Sequence, residues 1–417
     1  MTSNNNLNVE KNKAEVSKNV PELRFQGFID AWELRKLSTE FEKVNERNDG
    51  SLGREHWISV AKMYFQSPEK VQSNNIDTRT YVMRIGDIAF EGHPNKDFKF
   101  GRFVANDIGT GVVSELFPIY RHKQDYNNYY WKNAIQIERI MGPIFSKSIT
   151  SSGNSSNKLD PNHFLRQQIF IPKLEEQNKL GPFFKQLDNT ITLHQRKLDK
   201  LKLLKKGYLQ QIFPQYDEKV PRIRFANFED EWEQRKLGEI ASIVGGGTPS
   251  TNISEYWEGD IDWYSPIEIG EIIYMSGSRK KITKLGLQKS SAKVLPVGTV
   301  LFTSRAGIGN TAILEKEGAT NQGFQSIVPQ INELDSYFIF SRTYELKRYG
   351  EATGAGSTFV EVSGKQMEKM PILIPKFKEQ QKIGSFFKQL DNTITLHQFK
   401  LDKLKSIKQA LLQKMFI

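Results

Sequence analysis

Among the 417 residues, those whose type and spacing suit chemistry lie in polar loops and not in an acid–base or metal constellation. Cysteine is absent, which removes thiolate nucleophiles, disulfide frameworks, Cys-ligated zinc and iron–sulfur clusters together. The glycine-rich stretch GGGTPS (245–250) lacks the Gly-Lys-Ser/Thr ending that sets an ammonium on phosphates and a hydroxyl on magnesium. It reads as a turn whose backbone amides are open to a phosphate. Asp160-Pro161-Asn162-His163-Phe164 echoes the Asn/Asp-Pro-Pro-Tyr/Phe methyltransferase signature but lacks its second proline, and no FxGxG cofactor loop precedes it. Glu315-Lys316-Glu317 and Pro68-Glu69-Lys70 are isolated fragments of a nuclease carboxylate–lysine pattern. The six histidines form no HExxH motif and no i,i+4 pair, and no GxSxG elbow marks a nucleophile.

What the loops do carry is the chemistry of hydrogen bonding to base edges. Arg and Lys suit guanine, Asn and Gln suit adenine, Ser and Thr suit either, and Lys, Arg and main-chain amides suit phosphate. One set lies in HPNKDFKFGR (93–102) and VANDIGTG (104–111), with His93, Asn95, Lys96, Arg102 and Asn106 as candidates. A second lies in GGGTPS, TSRAGIGN (303–310) and TNQGFQ (320–325), with Thr248, Ser304, Arg305, Asn310, Asn321 and Gln322. The same composition marks any solvated loop, so these are candidates by chemistry and position.

The elements that must position these loops are written twice. IPKLEEQNKLGPFFKQLDNTITLHQRKLDKLK (171–202) and IPKFKEQQKIGSFFKQLDNTITLHQFKLDKLK (374–405) agree at 26 of 32 positions, at a constant offset of 203. PELRFQGFIDAWELRKL (21–37) and PRIRFANFEDEWEQRKL (221–237) agree at 10 of 17, offset 200. Between them lie two blocks of nearly equal length, about 38–149 and 238–352, that share almost no sequence. Two units are too few for a solenoid, so a pseudo-twofold protein with two modules is expected.

The long repeat has a helical period. Phe184, Leu187, Ile191, His194, Leu198, Leu201, Lys205 and Tyr208 step alternately by 3 and 4, as do Phe387, Leu390, Ile394, His397, Leu401, Leu404, Lys408 and Leu411. That predicts a coiled-coil seam, with Pro172 and Pro375 ahead of the helices and Pro214 after the first. At 1.5 Å per residue such a helix is roughly 55 Å long. His194 and His397 occupy equivalent seam positions, where polar groups can fix register in an antiparallel pair. The alternative is that each helix packs only on its own module. TYVMRIGDIAF (80–90), VGTVLFTS (297–304) and QSIVPQI (325–331) read as strands, and DSYFIFSRTYELKRYG (335–350) as one helix ending at Gly350, so each module is expected to be α+β.

Charge adds a location. Of the net +11, residues 183–213 hold seven Lys/Arg and two Asp, and 386–417 six Lys and two Asp, so the helices carry +9. The first twenty residues are polar and predict a flexible tail, and no apolar run approaches the ~20 residues of a membrane span. A basic, cysteine-free chain of this kind is expected in the cytoplasm with a polyanionic partner.

This organisation resembles the specificity subunit of type I restriction–modification systems over essentially residues 21–417. The resemblance rests on two dissimilar blocks between near-identical helices, the LDNTITLHQxKLDKLK repeat, RFxxFxxxWExRKL ahead of each block, and GGGTPS followed by YWEGDIDWYS (256–265). The first block departs from this pattern, with VNERNDGS (44–51) where GGTP would stand. The resemblance implies an α+β protein of two globular target-recognition domains, at 21–170 and 217–373, joined by two long antiparallel helices at 171–216 and 374–417 that form a coiled-coil spacer. It implies a non-catalytic reader of a bipartite site in double-stranded DNA, without a cofactor, metal or membrane contact of its own. Two modification subunits carrying S-adenosylmethionine and two restriction subunits using ATP and magnesium are the implied partners. A coiled-coil scaffold with two protein-binding modules is the rival reading. It explains the duplication but not why the blocks diverge while the helices do not.

Overall fold

The structure, a computed structural model, describes residues 19–71, 79–152, 156–215, 218–270, 272–305, 307–354 and 361–417. The expected N-terminal tail lies almost wholly outside the described residues. The chain divides into two compact units, one comprising the described residues up to Gln195 with Phe399–Ile417, the other Arg196–Gln398. The division passes through both long helices, Leu174–Ile212 and Phe377–Met415, each 39 residues. Each helix therefore gives its first half to one unit and its second half to the other.

Within the first unit, an antiparallel sheet runs in the order Phe41–Val44, Ile119–His122, Ile88–Glu91, Arg102–Ala105. In the second, Ala241–Gly245, Gln325–Pro329, Val300–Phe302 and Thr311–Leu314 are antiparallel in the same order, and Tyr274–Met275 adds a parallel edge. The duplication thus continues through blocks whose sequences show none. Two expectations are corrected. The run 80–90 is two strands, Thr80–Met83 and Ile88–Glu91, separated by a turn in which Gly86 has φ +88°. The run 335–350 is two helices, Ser336–Ser341 and Thr343–Gly354. Gly350 lies inside the second, where a Cβ would come within 2.9 Å of Ile308 and 3.0 Å of Phe302.

The short repeat closes each module. Glu33–Lys36 pairs with Gln168–Ile171, the strand that leads into the first helix, and Glu233–Lys236 pairs likewise with Pro371–Ile374. Arg24 donates two hydrogen bonds to Glu176, at 2.7 and 2.6 Å, and the Trp32 indole N–H donates a third at 3.1 Å. Arg224 holds Glu379 in the same fork at 2.7 Å twice. Both carboxylates are 1% exposed, so the charge-assisted pairs must offset their desolvation. One residue on, Gln177 accepts from the Asn127 N–H and donates to Pro172 O, while Gln380 accepts from the Asp335 N–H and donates to Pro375 O. The identities of the long repeat at Pro, Glu and Gln are therefore those of a joint between module and helix.

The helical segments run antiparallel within each unit. In the first, Asp188 near the start of one helix meets Lys408 near the end of the other at 2.6 Å; in the second, Asp391 meets Lys205 at 2.6 Å. Every seam position from Phe184 to Tyr208 and from Phe387 to Leu411 is buried or half-buried, Leu187, Ile191, His194, Leu198, Leu201, Leu390, Ile394, His397, Leu401 and Leu404 included. Off the seam, Leu193, Leu203, Leu396 and Phe399 are exposed. Phe416 stacks on Tyr130 in the first unit's core, 5.5 Å between centroids, while Arg139 donates to the carbonyls of Gln413 and Phe416. Phe213 stacks on Phe387 at 5.9 Å in the second. Each core is thus completed by the end of a helix that begins in the other unit.

Glu176→Ala leaves Arg24 without its partner at a site where that guanidinium is itself mostly buried. The expected loss is about 3–5 kcal/mol, confined to the first unit and read by chemical denaturation with domain-resolved hydrogen exchange. Phe416→Ala is expected to cost about 3–5 kcal/mol in the same unit.

Candidate nucleic-acid interface

The sheet order decides which loops share a face. In the second unit, Ala241–Gly245 and Val300–Phe302 end where Gln325–Pro329 and Thr311–Leu314 begin, because Gly245 pairs with Gln325 and Phe302 with Thr311. The loops 246–250, 303–310 and 321–324 therefore all leave one end of one sheet. Main-chain bonds tie them together: Gly247 N–H donates to Thr320 O at 2.8 Å, Asn321 N–H to Tyr264 O at 3.0 Å, and Ser304 N–H to Gly323 O at 2.8 Å. A Cβ on Gly246 would lie 2.0 Å from Asn321 O, and one on Gly247 2.3 Å from the Ala292 amide nitrogen. The glycines of GGGTPS serve close packing of loop on loop, and Trp263 braces the turn by donating its indole N–H to Gly247 O at 2.8 Å.

On this end, Gln322 and Asn310 are exposed, and Thr248, Arg305 and Asn321 half-buried. Asn321 Oδ1 accepts from Gly323 N–H at 2.6 Å, and the Thr248 hydroxyl is bonded to Gln322 Oε1. Arg305 faces Glu361 at 3.8 Å. Ser304 departs from expectation: it is fully buried, since its backbone bridges Gly323 and Val362, so its hydroxyl is closed to a ligand.

The first unit repeats the geometry with other residues. Ile88–Glu91 ends and Arg102–Ala105 begins at the end of the sheet where Phe41–Val44 stops, so the loop 92–101 emerges there. His93, Asn95 and Lys96 are exposed and Arg102 half-buried. Glu91, buried, meets the His93 ring at 2.5 Å, and Asn95 Oδ1 accepts from the Asp97 and Phe98 N–H groups. Arg102 donates to Ala61 O at 2.5 Å with its guanidinium over the Phe98 ring, 5.2 Å from the centroid. Asn106 is a correction. It sits at the opposite end of the sheet, 0% exposed, donating to Met83 O and Gly109 O and accepting from Ile108 N–H. Its amide braces a turn and is closed to a base edge.

Reading loops by polarity passed over a run of cations. Arg279, Lys280 and Lys281 are exposed on and beside the edge strand Lys280–Ile282, with the Lys280 ammonium 5.5 Å from the Trp257 ring centroid. Three consecutive basic residues were the available signal. The ionisable groups with large shifts lie away from these loops or are buried beneath them. Burial pushes the His122 imidazole down to about 3, keeping it neutral, and the Tyr264 phenol up to about 12. Among the described residues no group of three or more His, Asp or Glu is placed to hold a metal, and no helix is long and apolar enough to cross a membrane.

Gly246→Ala is expected to force the first and third loops apart and to cost the second unit about 1–3 kcal/mol, with earlier proteolysis between residues 246 and 325 as the readout. The same substitution is expected to leave the first unit's proteolysis unchanged.

Comparison with known proteins places this arrangement. The family described as type I restriction modification DNA specificity domain matches residues 109–203 and 229–406. The MjaIX specificity subunit of Methanocaldococcus jannaschii is 35% identical over 190 residues, 45% of this chain and 44% of that protein. The EcoR124I/EcoR124II specificity subunit of Escherichia coli is 32% identical over 178 residues, 40% of this chain and 43% of that protein. The chain thus spans less than half the length of these two relatives in the matched regions. A putative MjaX specificity subunit from the same archaeon is 22% identical over 403 residues, 91% of this chain and 92% of that protein. In three dimensions, the crystal structure of a type I restriction–modification S subunit from M. genitalium is similar with a TM-score of 0.61 at 14% identity, over 95% of this chain and 99% of that one.

Proposed function

The chain belongs to the type I restriction modification DNA specificity family, and from that premise we propose that it is the sequence-reading subunit of a type I restriction–modification complex. Each module reads one half of a bipartite, asymmetric site in double-stranded DNA. The observation that carries the reading is the pair of four-stranded frames of identical order, each projecting its exposed polar residues from the same end, with different residues on each. A constant frame with divergent ends suits two independent specificities; a scaffold for one partner would need no such divergence.

In this reading, phosphate contacts position the modules, with Lys96, Arg279, Lys280 and Lys281 available for them. Base-edge contacts from the exposed and half-buried loop residues specify, each good bidentate pair contributing about 1–3 kcal/mol of discrimination. The helices set the gap between half-sites and dock two modification subunits. The exposed apolar Leu193, Leu203, Leu396 and Phe399 support a protein partner on that surface. The chain performs no catalysis and holds no cofactor. S-adenosylmethionine, ATP and magnesium act in the modification and restriction subunits, in the cytoplasm. Adenine methylation requires the partner to extrude the base, so the DNA is distorted in the full complex.

Mapping methylated adenines in cells with and without this chain tests the proposal: a bipartite motif is expected to disappear with it, and an unchanged methylation pattern refutes the function. Replacing residues 38–149 is expected to change one half of the motif and to leave the other half and the gap intact. One heptad inserted after Leu201 and matched after Leu404 is expected to lengthen the gap; an unchanged gap would show that the helices are not the ruler.

A further inference from the structure

In the second unit, the strand Trp257–Tyr264 runs between two shorter ones, antiparallel to Lys280–Ile282 and parallel to Ala319–Thr320. The register sets Lys280, Trp263 and Ala319 in one row across the three. At about 4.8 Å per strand, the cation run and the loop that starts at Asn321 are therefore held about 10 Å apart at the same end. Arg279 and Lys280 are exposed there, whereas Lys281 faces Asp262 at 3.8 Å. One side chain links the run to the loop. The Glu268 carboxylate accepts from the Arg279 N–H at 2.8 Å through Oε2, and from the Ser265 N–H at 2.9 Å and the Ser265 hydroxyl at 2.8 Å through Oε1. Ser265 follows Tyr264, whose carbonyl takes the Asn321 N–H at 3.0 Å, and a Cβ on Gly323 would come within 2.9 Å of the Pro266 ring. The turn that Glu268 closes is thus packed on the loop at 321–324 on one side and tied to Arg279 on the other.

That separation is the one a duplex presents. The major groove of B-DNA is about 12 Å wide and about 8.5 Å deep, so a phosphate at its rim and a base edge at the middle of its floor lie about 10 Å apart. Phosphate contacts fix the register of a protein on the duplex, and a cation run set at a constant distance from a reading loop carries that register to the loop. A carboxylate paired with the run's side chains would neutralise it, but Glu268 takes the main-chain N–H and leaves Arg279 exposed. We propose that Glu268 is a positioning residue, which holds Arg279 and Lys280 on a phosphate at the rim of the groove whose floor is read by the loop at 321–324. The inference rests on the DNA-reading function proposed above and adds to it the link between phosphate contact and base reading in the second module.

The test is competition binding by the assembled complex at several salt concentrations, with duplexes that carry the mapped motif, single-base variants of each half, and unrelated sequence. Glu268→Gln keeps the size of the side chain and every cation, but whichever way its carboxamide turns, the NH2 group faces a main-chain N–H, of Arg279 or of Ser265. It is expected to lower discrimination across the second half by about 3- to 10-fold, the factor that one such hydrogen bond corresponds to. The first half's profile, the affinity for unrelated DNA and the salt dependence of that affinity stay at wild-type values. Arg279→Ala is expected to weaken binding to every sequence alike and to lower the slope of log K against log salt by about 1. A merely structural role for Glu268 does not produce that split. The inference is overturned, while the general function stands, if Glu268→Gln keeps the wild-type discrimination, loses affinity equally on all sequences, or is cleaved faster between residues 246 and 325. It is overturned equally if Arg279→Ala leaves the salt slope unchanged. If the wild-type complex itself binds without sequence dependence, the function proposed above falls, and this inference with it.

Discussion

One desolvated carboxylate holds each module to its helix. Glu176 and Glu379 sit in the first turns of the long helices with almost no access to water, a position that is unfavourable unless each is fully engaged. The bidentate forks of Arg24 and Arg224 satisfy that requirement, and only one geometry does so. Everything else in the modules follows from this anchoring. The strand of the short repeat is brought beside the strand entering the helix, the sheet is then fixed relative to that strand, and the loops at its far end inherit a defined position. In both short repeats the arginine has its partner in the long repeat, more than 140 residues away, and in the first the Trp32 indole joins it on the same carboxylate.

Constancy and variation are thereby separated in space. The helices carry +9 of the chain's +11, so the basic excess belongs to the shared frame. The loop ends are close to neutral in composition and draw their discrimination from hydrogen-bond geometry. Restraint within these loops is local: Trp263 on Gly247, Thr248 on Gln322, Asn95 on its own following amides. Such restraints differ between the modules without disturbing the anchoring beneath, which is what allows one frame to serve two specificities.

The helices and their seam were legible because a 3,4 spacing over eight positions has one structural meaning, and Pro172 and Pro375 stand ahead of the two helices with Pro214 after the first. The common strand order of the two blocks was not legible. Their strands are two to five residues long for the most part and buried on both faces, as in Ile88–Glu91 and Thr311–Leu314, so neither alternation nor similarity marks them. Among the candidate readers, composition separated loops from elements but not one kind of loop from another. Asn106 and Ser304 have the right chemistry yet are consumed by the fold, one bracing a turn and the other bridging two loops. Which end of a sheet a loop leaves depends on strand order, and that is a long-range property no local window contains. Gly350 shows the same limit: a glycine read as a stop is there because Ile308 and Phe302 approach the helix.

The packing of Phe416 against Tyr130, Trp32 and Phe184 has a consequence for biosynthesis. Residues 196–398 contain every segment of the second unit, so that unit is able to close while translation continues. The first unit, though begun earlier, lacks part of its core until residues 399–417 have left the ribosome. The order of completion is therefore the reverse of the order of synthesis. During that interval Trp32, Tyr130 and Phe184 lack the ring that fills the slot between them, so the first module is the later of the two to complete its apolar core.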